Sequence, residues 1–232
     1  MDWLLAPIDG TRPHDVGLLL AWHGRAMVAA WAFFIPVGIL LARFFKILPG
    51  QDWPRQLDNS IWWIGHWGLQ HLGAALTLIG LALVLVETGG HASAISHWAP
   101  GYFVVFACLL MVAAGWLRGS KGGPTEPGPD GSWAGDHYDM TMRRRVFEHV
   151  HKTTGYLVLA VSIATIYTGL WHANAAHWMW LVITLWWVFL FVLFVILQRR
   201  GLSVDTYQAI WGPEDTHPGN RLKPIGWGVK RR

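Results

Sequence analysis

The chain has 232 residues, 53% of them hydrophobic and only 14% charged, against roughly 25% charged in a soluble domain. This excludes a disordered chain and argues against an ordinary soluble enzyme. The one cysteine, Cys108, excludes an internal disulfide framework and a self-contained four-cysteine metal or iron–sulfur site.

In chain order, residues 1–17 form a short polar segment. It lacks a long apolar core, so no cleavable signal peptide is expected and the first span is read as an uncleaved anchor. The later charge-free stretches are Ala26–Ala42, Asn59–Val86, Thr88–Leu117 and Thr153–Gln198. The last is too long for one crossing of about 20 residues, and the polar turn from Trp171 to His177 divides it. Five spans follow, near 18–46, 60–86, 97–117, 147–171 and 177–199. Each must be helical, because lipid offers no partner to open backbone groups. Residues 118–146, rich in Gly and Pro, read as a long loop. Residues 200–232 read as a polar tail containing tryptophan. The expected fold is an all-α integral membrane protein: a four-helix bundle and one peripheral helix over 18–199, with an outer N-terminal segment 1–17 and a tail 200–232.

Five spans put the N-terminus, the 87–96 loop and the 172–176 turn on one side. Of the 18 Lys and Arg residues, only Arg12 and Arg25 lie there. The positive-inside rule makes the other side cytoplasmic, with the N-terminus outside and the C-terminus inside. The net charge of +4 thus reflects topology, and no nucleic-acid partner is expected.

Ionisable side chains inside a span are costly and mark function by default. Of the 12 histidines, His14, His137 and His217 fall in loops or the tail, and His91, His172 and His177 fall in or beside outer turns. His23, His66, His97 and His151 each lie near the start of a different helix. Consecutive helices are antiparallel, so His23 and His97 share the outer depth, and His66 and His151 the inner depth. In an up-down bundle these are diagonal pairs, where cofactors are held between facing side chains. The arrangement predicts two haem b groups with bis-histidine ligation, one per leaflet. They are non-covalent, since the sequence has no C-x-x-C-H attachment site. Six residues of depth at each end, about 9 Å, would leave on the order of 12 Å between the two ligand levels in a core of about 30 Å. His71 and His149 point away from His66 and His151 by helical phase, and are read as neighbours or packing residues. Arg25 is placed to serve the outer haem. Arg43 and Lys46 are placed to serve the inner haem, an anionic donor or lipid headgroups.

Several short stretches resemble the cytochrome b561 superfamily, especially the b561 module found fused to DOMON domains. They are His23-Gly24-Arg25, Pro36-Val37-Gly38, Ala42-Arg43 with Lys46, His66 with Leu69-Gln70, His97 with Gly101, and His151 with Gly155 and Gly169. The resemblance covers about residues 18–199. It implies a transmembrane electron carrier with His23 paired to His97 and His66 paired to His151. Such proteins take electrons from ascorbate or a similar donor inside and reduce ferric chelates or a radical outside. This chain departs in having no DOMON domain, five spans where many members have six, and an enlarged third loop. A compact, stand-alone bacterial member of the inner membrane is expected.

The expected partners are the lipid bilayer, a small-molecule or quinone electron donor and acceptor, and a redox partner protein, with homodimerisation left open. Two rival readings stand beside the carrier. One is a haem-bearing anchor that exchanges electrons between quinone and a partner protein. The other is a haem-free structural or transport protein. If the chain is an enzyme, it is a transmembrane oxidoreductase of the ferric or monodehydroascorbate reductase kind.

Overall fold

The computed structural model describes residues 2–57, 59–91, 94–118, 142–216 and 218–232. Most of the expected 118–146 loop, with His137, lies outside the described residues, as does His217. A short helix α1 (Asp2–Leu5) precedes five long apolar helices: α2 (Leu18–Phe44), α3 (Ile61–Thr88), α4 (Ile95–Leu117), α5 (Met142–His172) and α6 (His177–Arg199). All five are long and apolar enough to cross a membrane. Helix α6 covers the expected 177–199, while α5 starts earlier than the expected 147, at Met142. A final short helix α7 (Thr206–Trp211) lies in the C-terminal segment.

Helices α2 and α3 pack as one antiparallel pair and α4 with α5 as another. The seams between α3 and α4 and between α2 and α5 are looser. This order around the bundle leaves α2 diagonal to α4, and α3 diagonal to α5. The core gathers Ala30, Trp31, Ile35, Val104, Ala107, Val158 and Ile166 from α2, α4 and α5, with Ile183 from α6. Small residues on α2 let its backbone approach its neighbours, as expected where lipid gives helices no hydrophobic reason to associate.

One feature of α2 has no sequence signal. Ala29–Phe34 form a π-helical stretch within it. The indole of Trp186, on α6, donates to the Ala32 carbonyl at 2.5 Å. The widened turn thus presents a carbonyl to the peripheral helix and fixes where α6 docks.

The C-terminal segment is folded onto the bundle. A parallel bridge joins Val204 and Lys230. The Asp205 N–H donates to Lys230 O at 2.8 Å, and the Lys230 N–H to Ser203 O at 2.9 Å. Arg231 closes the fold through an ion pair with Asp205 at 3.3 Å. At the opposite end, Asn174 donates to the carbonyls of Asp9 and Arg12 at 3.0 and 2.7 Å. This staples residues 9–13 over the turn between α5 and α6. Below, these are the tail end and the N-terminal end of the bundle.

Candidate functional site: two histidine pairs on the bundle diagonals

Each antiparallel pair of helices positions its histidines with the neighbouring backbone. His23 Nδ1 lies 2.8 Å from the Gly80 carbonyl, and His66 Nδ1 lies 3.0 Å from the Gly38 carbonyl. His97 Nδ1 stands 3.2 Å from both the Thr165 carbonyl and Thr168 Oγ1. A carbonyl oxygen only accepts, so in these three rings Nδ1 carries the proton and Nε2 keeps its lone pair. That is the tautomer a metal-binding histidine needs. His151 Nδ1 is buried without such a partner. Its ring packs instead on Phe147, with centroids 5.0 Å apart.

The diagonals bring these rings together. His23 faces His97 with ring centroids 6.3 Å apart and planes crossed at 88°. His66 faces His151 at 6.2 Å and 78°. Two imidazoles bound through nitrogen to opposite sides of one metal need about 2.0 Å from metal to nitrogen and about 1.1 Å more to each ring centre, hence about 6.2 Å between centres. Both pairs stand at that spacing. Among the described residues, no group of three or more His, Cys, Asp or Glu side chains is placed to hold a metal. A pair of axial nitrogens therefore suits a metal whose remaining ligands come from a planar macrocycle. Close approach is built in at Gly169, where a Cβ would stand 3.0 Å from His97 Cε1.

The register gives the distance between the pairs. On α3, Gly80, which holds His23, lies 14 residues beyond His66; on α5, Thr165, which holds His97, lies 14 residues beyond His151. Fourteen residues are about 21 Å of helix, well above the spacing of about 12 Å expected from sequence. The difference arises because α3 has 28 residues and α5 has 31, so both overrun the hydrocarbon core on which that estimate was based.

The other expected site residues are placed as follows. Arg25 is exposed at the N-terminal end, with its guanidinium 5.0 Å over the Trp22 ring. Arg43 and Lys46 are buried at the tail end. Arg43 donates to Gln198 Oε1 at 2.8 Å, Tyr156 Oη at 3.0 Å and Trp227 O at 2.6 Å. Lys46 donates to Val204 O at 2.9 Å. Both cations therefore engage the C-terminal segment directly. Burial, reinforced by the nearby Lys152 ammonium, lowers Lys46 to about 7. Nearby, Glu148 is buried between Lys152 at 2.9 Å and Arg144 at 3.5 Å, and Lys152 also donates to Ile225 O at 2.7 Å. Arg118 lies 3.8 Å over the Trp63 ring, and burial lowers it to about 10. His149 is exposed. His71 lies on the seam between α3 and α4, where Trp116 Nε1 donates to its Nε2 at 3.2 Å.

Sequence reasoning missed the carbonyls of Gly80, Gly38 and Thr165, and the residues Gln198 and Glu148 that organise the tail end. A glycine facing a histidine from the partner helix was the available signal for the first two.

No family model matches the chain, and no solved structure matches it. It is similar to the cytochrome b561, DM13 and DOMON domain-containing protein of Arabidopsis thaliana, 28% identical over 159 residues, which are 68% of this chain and 15% of that protein. Ferric-chelate reductase 1 of Bos taurus is 33% identical over 108 residues, 44% of this chain and 17% of the relative. Ferric-chelate reductase 1 of Mus musculus is 27% identical over 154 residues, 66% of this chain and 22% of the relative. The chain thus spans less than a quarter of each of these three relatives. The five long apolar helices support a membrane-spanning protein.

Proposed function

We propose that this chain is a cytochrome b561-type electron carrier of the stand-alone bacterial kind. In this reading it holds two haem b groups, one between His23 and His97 and the other between His66 and His151. The observation that supports this most directly is the spacing of the two ring pairs, 6.3 and 6.2 Å, on the two bundle diagonals. When bound, haem with both axial positions filled supplies outer-sphere one-electron transfer. The residues of the chain do the rest. Gly80, Gly38 and Thr165 orient the ligand rings and raise their basicity through Nδ1–H donation. The bundle walls exclude water. Arg25 offers a cation to a haem carboxylate at the N-terminal end, while Arg43 and Lys46 serve the tail-end haem by closing the C-terminal segment over it.

The basic residues cluster at the tail end, which supports a cytoplasmic tail end and an outer N-terminus. Electrons then run from a cytoplasmic-side donor to an outer acceptor, for which the ferric chelates after which two of the relatives are named are the proposed substrate.

The test is a reduced-minus-oxidised spectrum of the purified protein with haem quantified per chain. About two low-spin haems per chain are expected, all released by acid–acetone. His66→Ala or His151→Ala should each lose one haem and keep the other. Haem retained after extraction, or one haem per chain in the unaltered protein, refutes the reading.

A further inference from the structure

His71 lies within α3 and takes no part in the two pairs. It lies ten residues into α3 from Ile61, about 15 Å along the axis. The Arg118 guanidinium lies over Trp63, in the first turn of the same helix. His71 lies eight residues farther along α3, about 12 Å.

Its surroundings differ from those of a packing histidine. His71 Nδ1 donates to the Trp67 carbonyl at 2.8 Å, so Nε2 is the acceptor. That nitrogen points into the loose α3–α4 seam, where Trp116 Nε1 reaches it. A hydrogen bond serving only to tie two helices would be buried between them. Here Trp116 is 71% exposed and Trp67 50% exposed. The indole of Trp67 lies 4.2 Å from the imidazole, centroid to centroid, and that of Trp116 lies 6.0 Å away and parallel to within 19°. Between Trp67 and His71 on the same face is Gly68, where a Cβ would meet nothing within 4 Å. The result is an open patch on the α3–α4 pair, flanked by two indole rings and holding one polar acceptor.

We propose that this patch of Trp67, Gly68, His71 and Trp116 binds the headgroup of a lipid-soluble quinol. The planar ring lies along the indoles, a hydroxyl donates to His71 Nε2 in place of Trp116, and the tail runs out into the bilayer. The site rests on the electron-carrier reading above, for which it supplies a donor. His66 is five residues away on the same helix, about 7.5 Å along the axis. Oxidation of one quinol to quinone breaks two O–H bonds and turns two C–O bonds into C=O. It releases two protons and two electrons, which haems held by the two histidine pairs would accept one each. The protons leave one after the other through His71 Nε2 to water at the tail end.

The test uses the purified haem-loaded protein in phosphatidylcholine nanodiscs. An azido-substituted short-chain ubiquinone is photolysed on it, and labelled peptides are mapped by mass spectrometry; stopped-flow reduction by the matching ubiquinol is followed at the haem bands. Label should fall in 61–88 and 95–117. It should drop about tenfold in His71→Leu, the value of one lost hydrogen bond to a polar headgroup, and also in Trp116→Ala, which leaves α3 unaltered. His71→Gln keeps an acceptor without a titratable nitrogen, so it should retain the label yet slow reduction by at least about tenfold. Dithionite must still reduce both haems in each variant. Label elsewhere, label undiminished in His71→Leu and Trp116→Ala, or full-speed reduction of His71→Gln overturns the proposal. A preparation without haem overturns the electron-carrier reading instead, while the labelling still reads the site.

Discussion

Thr168→Val tests the hydrogen bonds on His97 with little change in shape. Thr168 Oγ1 lies 3.2 Å from His97 Nδ1 and donates its own proton to the Thr165 carbonyl at 2.9 Å. Valine keeps the volume and removes the oxygen. The Thr165 carbonyl remains, at 3.2 Å, so the ring keeps its tautomer and loses one of two acceptors. An Nδ1–H bond makes the imidazole a stronger donor, and a stronger donor favours the ferric state. Losing part of it raises the potential of the haem at the N-terminal end. If the lost contact contributes about 0.5–1 kcal/mol, a one-electron couple shifts by about 20–40 mV, at 59 mV per factor of ten. The assay is a potentiometric titration followed optically and fitted to two one-electron components. One component should rise by that amount and the other should stay within error. A downward shift, or an equal shift of both, would refute the argument that Nδ1 donation to this oxygen tunes one of two separate sites.

Two further outcomes follow from the same geometry. Gly169→Leu adds atoms where a Cβ already stands 3.0 Å from His97 Cε1; haem should fall from about two to about one per chain, the surviving haem being that of His66 and His151. At the tail end, docking of the C-terminal segment should depend on pH through Lys46, which burial and Lys152 lower to about 7 against the partial opposition of Glu148 and Asp205. An undocked Lys46 titrates near 10.4, so between about pH 7 and pH 10 the undocked form binds more protons, and docking strengthens as pH rises through that window and levels off below it. Trypsin cleavage after Arg221, corrected for the enzyme's own pH profile, should slow across this window. Lys46→Met should abolish the pH dependence, and an unchanged profile in that variant would sink the assignment.

The spans were legible because the hydrocarbon core imposes one rule on every helix: about 20 residues without charge. The diagonal pairs were legible for a related reason. A membrane histidine stands out against an apolar background, and antiparallel order fixes which histidines share a depth. The spacing between the pairs was not legible, since it depends on how far α3 and α5 extend beyond the core. The docked C-terminal segment was hidden too. Its hold on the bundle comes from Arg43 and Lys46, and hydropathy reads such cations at a helix end as lying in the headgroup zone. Their burial, at 8% and 5% exposure, is a tertiary event made possible by the carbonyls of Trp227 and Val204. The π-helical stretch at Ala29–Phe34 left no trace because alanine and phenylalanine are ordinary in any membrane helix, and it is the Trp186 indole on another helix that uses it.

The hydrogen bonds also show how the two ends of the bundle differ. His23 on α2 donates to Gly80 on α3, and His66 on α3 donates to Gly38 on α2. Each helix therefore holds the other's ligand, as antiparallel neighbours with histidines at equivalent depths can do. The α4–α5 pair repeats only half of this: His97 is held by Thr165, whereas His151 Nδ1 has no acceptor among the described residues. On the proposed reading, the N-terminal pair has Nδ1 donation on both ligands and the tail-end pair on one. The Arg118 cation also lies over Trp63, whose ring is 6.5 Å from His66. Weaker donation and a nearby positive charge both favour the reduced state at the tail end. On that reading, an electron entering there would meet the higher potential first, and transfer toward the N-terminal end would run uphill within the protein. It is drawn across by the acceptor, and the acceptor's potential, more than the internal step, sets the direction of flow.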